Sequence, residues 1–107
     1  MLMPPNNPAH LHALTVVGQS MYSPTGSQSF NDGDLLYIDP QKQAVNGSLV
    51  IAKLTEADGE VFRQLAITRD GKRYLKALNP LWPEPITPMN PSASIGGVVV
   101  YKVSGVA

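Results

Sequence analysis

Ser20 follows a short apolar run, Leu14 to Val17, and sits in Gly18-Gln19-Ser20-Met21. Cysteine is absent, which removes thiolate nucleophiles, thiolate metal sites and disulfides, and fits a reducing compartment. His10 and His12 have the spacing of a metal pair, but no third ligand accompanies them. They are read as an accident of the terminus, so no metal and no cofactor are expected. The remaining chemistry rests on cations. Lys53 and Arg63 are isolated, whereas Arg69, Lys72, Arg73 and Lys76 crowd around Asp70-Gly71. That cluster reads either as a nucleic-acid patch or as a solvated hairpin tip. With Tyr74 alone as an interleaved aromatic, the hairpin tip is preferred.

Arg63 stands out by its position. In the run Val61 to Thr68 the odd positions are Val61, Arg63, Leu65 and Ile67, so strand alternation puts the guanidinium on an aliphatic face. A charge aimed at a core face is costly unless it is paired or hydrogen-bonded. The alternatives are a functional role, a face only partly buried, or a side chain that snorkels at a sheet edge.

The elements that must position these residues are short. The 107 residues make about one domain, and eight basic against eight acidic side chains leave a formal charge of zero. Such balance argues against a large nucleic-acid or acidic-membrane footprint. No apolar run approaches the length of a membrane span, and Met1-Leu2-Met3-Pro4-Pro5 lacks the features of a signal peptide. Ten prolines and nine glycines oppose long helices. Asp32-Gly33, Asn46-Gly47, Asp58-Gly59 and Asp70-Gly71 punctuate the chain with the positive φ angles that hairpins need. Between them, strands are expected at 14–17, 35–38, 48–54, 61–68, 73–78 and 97–103. Together these predict a mostly β domain, a small curled sheet or partly closed barrel, over 13–107. Residues 1–12, rich in proline, read as an extended arm or linker remnant. The last strand, Val98 to Val103, is predicted as a long apolar edge that seeks a partner. Trp82, between Pro80 and Pro83, is expected either to pack over the sheet or to anchor an interface.

Several segments in order carry a resemblance. They are Gly18-Gln19-Ser20-Met21, Pro24-Thr25-Gly26-Ser27, Asp32-Gly33-Asp34, Ile38-Asp39-Pro40, Val61-Phe62-Arg63-Gln64-Leu65, Leu78-Asn79-Pro80-Leu81-Trp82-Pro83 and Ile95-Gly96-Gly97-Val98. Over roughly residues 14 to 103 the chain resembles the C-terminal self-cleavage domain of LexA and lambda-type phage repressors, shared with UmuD-like proteins and akin to signal peptidases. The resemblance implies a serine that attacks a peptide bond of its own chain and a neutral lysine as general base. Ser20 matches the nucleophile and Met21 the residue packed beside it, with a nearby backbone N–H as oxyanion donor. Arg63 stands where the family has lysine. Arginine keeps its proton above about pH 12, so Arg63 is a poor proton acceptor near neutrality. Self-cleavage is therefore expected to be slow or absent. Lys53, on the preceding strand, is a formal substitute, but its place matches a structural base of the family.

The family's scissile dipeptide, Ala-Gly or Cys-Gly, does not occur before Ser20, and no helix-turn-helix pattern precedes it. The chain thus looks like the C-terminal fragment of a longer repressor. The leading expectation is a dimerisation and regulatory domain in a bacterial cytoplasm, a homodimer with higher oligomers open. It would reach DNA only through a missing N-terminal domain and would not contact membrane. An antirepressor or a RecA filament would be the inducing partner. The alternatives are an active Ser/Lys-type autoprotease, triggered by a RecA filament or high pH, and a plain β-barrel binding module.

Overall fold

Hydrophobic alternation and Asx-Gly punctuation produce strands throughout the computed structural model, which describes residues 11–24, 28–55 and 59–103. The strands are β1 (His12–Thr15), β2 (Leu35–Asp39), β3 (Leu49–Lys53), β4 (Val61–Ile67), β5 (Arg73–Lys76), β6 (Ile86–Pro88) and β7 (Ser94–Val103). They form one antiparallel sheet in the order β1-β2-β7-β3-β4-β5-β6. β1 and β6 do not pair with each other, so the sheet curls without closing into a barrel.

β3 and β4 show how alternation builds two cores. Val50 and Ala52 join Val61, Leu65 and Ile67 in one cluster, completed by Leu75 and Val98. Leu49 and Phe62 turn to a second cluster around Val16, Met21, Phe30 and Leu36. Phe30 meets Phe62 edge to face, with ring centroids 4.9 Å apart and an interplanar angle of 82°. The face expected for Val61, Leu65 and Ile67 is therefore the one observed; Arg63, opposite Val50, starts from the same face, but its guanidinium reaches away to Ser20.

The last strand corrects an expectation in part. β7 lies between β3 and β2 in the strand order, its ten residues serving two neighbours in series, so its second half is an edge on one side only. Its first half pairs with β3, up to Val50↔Val98, and its second half with β2, from Asp39↔Val98 to Leu35↔Val103. Beyond Val98 the side of β7 away from β2 has no strand neighbour among the described residues. The outermost strands are β1 and β6. β6 was not anticipated, because its three residues lie among prolines. β1 begins two residues earlier than expected, so His12 belongs to the sheet, whereas residues 1–10 of the predicted arm, His10 included, lie outside the described residues.

Only some of the Asx-Gly pairs turn hairpins. Asp70-Gly71 does, joining β4 to β5 with Thr68 N–H donating to Lys72 O at 2.9 Å. Asp32-Gly33 and Asn46-Gly47 instead close turns that lead into β2 and β3, with Asp34 N–H bonded to Asn31 O and Ser48 N–H to Val45 O. Gly33, Gly47 and Gly71 all take positive φ, as their turns require. Asp58 lies outside the described residues, and Gly59 has no positive φ. Arg69, Lys72, Arg73 and Lys76 are all exposed on the β4–β5 hairpin, where Lys72 pairs with Asp70 at 3.8 Å.

Candidate active site

The loop between β1 and β2 is tied at its neck and anchored by one side chain. Val16 N–H donates to Asp34 O and Gly33 N–H to Val16 O, both at 2.8 Å, and Phe30 N–H donates to Met21 O at 2.9 Å. Met21, 1% exposed, plugs the second core and holds Ser20 at the core's margin. Gly18 makes the bend, at φ 83°, with its N–H on Asp32 Oδ1 at 2.7 Å. A side chain at that φ would be strained, so the glycine is required for the approach to Ser20.

A second segment clamps the loop from the far end of the sequence. Asn79 N–H donates to Ser20 O and Asn79 Nδ2 to Gln19 O, both at 2.9 Å. The same side chain accepts Leu81 N–H on Oδ1, and Trp82 N–H returns to Asn79 O. One asparagine thus fixes both the serine loop and the turn that carries Trp82.

Arg63 closes the site. β5 is in register with β4 only from Gln64 onward, which leaves Val61–Arg63 bordered by β3 alone. There Arg63 Nη1 donates to Ser20 Oγ at 2.7 Å and to Phe62 O at 2.8 Å. The guanidinium carbon lies 5.5 Å from the centroid of the Trp82 ring, a cation–π contact. Trp82, expected either to pack over the sheet or to anchor an interface, here places its ring beside the Arg63 charge on β4. Burial lowers the Arg63 pKa from its ordinary value. Arginine nonetheless holds its proton at neutral pH, because its delocalised cation is so weak an acid.

These contacts fix what the pair can do. A guanidinium has five N–H donors and no acceptor, so it cannot remove the Ser20 proton. It can hold the oxygen in place and stabilise negative charge that develops near it. The two residues border a cleft of about 430 Å³, with walls that include Val17, Ile51, Val61, Phe62 and Trp82. Glu60 also lines this cleft, but its carboxylate lies against Gly96.

Of the residues singled out in the sequence, Ser20 and Arg63 meet although 43 positions separate them. Lys53 does not line the cleft and ends β3 opposite Ser94. His12 lines a neighbouring hollow with Pro40 and Gly96. No group of three or more potential metal ligands occurs among the described residues. Asn79 is the residue that sequence reasoning passed over as a site residue. Its signal was weak, an Asn-Pro turn next to Trp82, since its partners lie some 60 positions upstream.

Three relatives share this stretch of sequence. The chain is 38% identical over 92 residues to the prophage repressor CohE of Escherichia coli K12, covering 85% of this chain and 38% of the relative. It is 41% identical over 87 residues to the HTH-type transcriptional regulator for conjugative element R391 of Providencia rettgeri, covering 81% and 39%. It is 38% identical over 87 residues to repressor protein C2 of Salmonella phage P22, covering 81% and 38%. The chain therefore spans well under half the length of these relatives. The model of the Peptidase S24-like family matches residues 1–100, and with the serine cleft on the curled sheet it places this chain in that family.

Proposed function

We propose that this chain is the regulatory, subunit-pairing domain of a phage- or mobile-element-type transcriptional repressor. Its Ser20 site is of the peptidase type but lacks a working base. The observation that carries the proposal is the 2.7 Å bond from Arg63 to Ser20 Oγ, which fills the lysine's place with a group unable to accept a proton. General-base assistance is worth about 10²–10⁴-fold, so self-cleavage at neutral pH is slowed by that order.

The domain's remaining work is assembly. Pairing two copies links two DNA-binding heads, carried by other parts of the parent chain, and raises the local concentration of the second head at its half-site. The side of β7 beyond Val98 supports a homodimer, since it offers backbone donors and acceptors next to the exposed Tyr101. Higher oligomers would build on that pair. With cleavage disabled, release from the operator falls to an antirepressor that docks on this domain, not to cleavage stimulated by a RecA filament. The site needs no cofactor, and the place of action is the bacterial cytoplasm.

The test is an intact-mass time course of the full-length parent at pH 7 and about pH 10, beside Arg63→Lys. The parent is expected to stay whole at both pH values. The lysine variant is expected to split upstream of Ser20, faster as pH rises and its amine loses the proton. Cleavage of the arginine parent that accelerates at high pH would overturn the proposal and make the protein a slow autoprotease.

A further inference from the structure

The Arg63 charge has an unusual set of neighbours. It is half-buried, and its contacts are a hydroxyl, a carbonyl and a ring face. No carboxylate stands within ion-pair distance of it among the described residues, and Glu60, which shares the cleft, turns toward Gly96. Only Nη1 is committed to acceptors, so Nε and Nη2 keep three N–H donors. Ser20 Oγ accepts from Arg63, which leaves its own hydrogen to be donated elsewhere. A hydroxyl donor and a guanidinium edge side by side match the two oxygens of one carboxylate. The walls around them are largely apolar, as in sites that hold peptide side chains.

We infer that the Ser20 cleft is a receptor for the free C-terminal carboxylate of a short apolar peptide, bound by Arg63 and Ser20 together. This rests on the reading of the cleft as a peptidase-type, peptide-holding cleft. Replacement of a neutral amine by a fixed cation shifts the cleft's preference from an uncharged peptide bond to an anionic chain end. The carboxylate displaces water from the guanidinium, and the preceding side chains cover Val17, Ile51 and Phe62. Trp82 stacks on the cation and closes one side, so a chain end, which enters once, fits better than an internal acidic residue threaded through.

Three probes separate the possibilities: acetyl-Leu-Ala-Ala as the free acid, the same peptide as its C-terminal amide, and acetyl-Leu-Asp-Ala amide. Trp82 is the only tryptophan of the chain, so its fluorescence reports titrations from the site itself. Calorimetry supplies a second readout. The free acid is expected to bind at least tenfold more tightly than either amide. In Arg63→Gln that preference should collapse to within twofold, and in Ser20→Ala it should weaken by a smaller factor. Thermal unfolding of both variants establishes that they fold. Equal binding of all three peptides to the native chain would overturn the inference and leave the cleft a peptide site. Tighter binding of the internal-aspartate peptide would overturn it in favour of an acidic side chain. No binding of any peptide at millimolar concentration would overturn both the inference and the peptide-holding reading.

Discussion

The backbone of Asn79 donates to the carbonyl of Ser20 at 2.9 Å while the Asn79 side chain holds Gln19, so the serine loop is pinned from both peptide units at once. The bond from Gly18 to Asp32 acts from within the loop, whereas Arg63 on Ser20 and Lys102 on Ser29 reach it from β4 and β7. Asn79 supplies the hydrogen bonds that tie it to the segment that carries Trp82.

Asn79→Ala should therefore loosen the site more than the fold. It removes the side-chain bonds to Gln19 O and from Leu81 N–H, worth about 1–2 kcal/mol in total at this partly exposed position. Urea unfolding should show a loss of that size. Hydrogen exchange should quicken at residues 19–22 and 79–82 and stay unchanged in β3 and β4.

Gly97 permits the bulged crossing of β7 over β2. A Cβ there would run into Ile38 Cγ2 and lie 3.2 Å from Asp39 O and 3.3 Å from the Pro40 Cα. Gly97→Ala should destabilise the domain by about 1–3 kcal/mol through overpacking. The cost should be smaller in an Ile38→Ala background, since that change removes the nearest atom. A double-mutant cycle in denaturant reads the coupling, and purely additive effects would speak against the steric account.

The β4–β5 hairpin supplies a pH prediction. A hydrogen bond from Thr68 Oγ1 holds the Asp70 carboxyl below its ordinary pKa. Its folded value lies beneath its unfolded one, so the contribution is present above about pH 4 and is lost as pH falls through the folded value. An NMR titration of Asp70 should show an inflection below the ordinary aspartate range, and Thr68→Val should move it upward. The exposed position makes the effect on global stability small.

Lys102 bridges the end of β7 to the serine loop, with Nζ donating to Ser29 O at 3.0 Å and lying 5.2 Å from the Phe30 ring centroid. Lys102→Met keeps the stem and removes the charge. It should cost about 1 kcal/mol or less at this exposed site. Exchange should quicken at Ser29 and Phe30 but not in β4.

The sequence made the strands legible wherever Asx-Gly turns bounded short runs of strand length, as at 35–38, 61–68 and 73–78. It misled where tertiary pairing decides. Gly33 and Gly47 have the left-handed backbone expected of them, yet neither turns a tight hairpin: Gly33 ends the long loop that joins the paired β1 and β2, and Gly47 lies between β2 and β3, which β7 separates. Val98 to Val103, which composition marks as an edge, pair with β2 and stay open on the other side beyond Val98, a half-edge that only the late insertion explains. Ser20 and Arg63 were readable as a pair through the resemblance, and alternation flagged Arg63 independently. Asn79 was not readable, because its role exists only once two distant loops meet.

The most direct test of the account is Ser20 reactivity toward a fluorophosphonate probe, followed by intact mass at pH 7.5. The native chain is predicted to label no faster than Ser20→Ala, while Arg63→Lys labels at Ser20 about 10²-fold faster or more, as a restored general base would require. Labelling of Ser20 in the native chain at a rate close to that of Arg63→Lys would contradict the claim that the arginine disables the site.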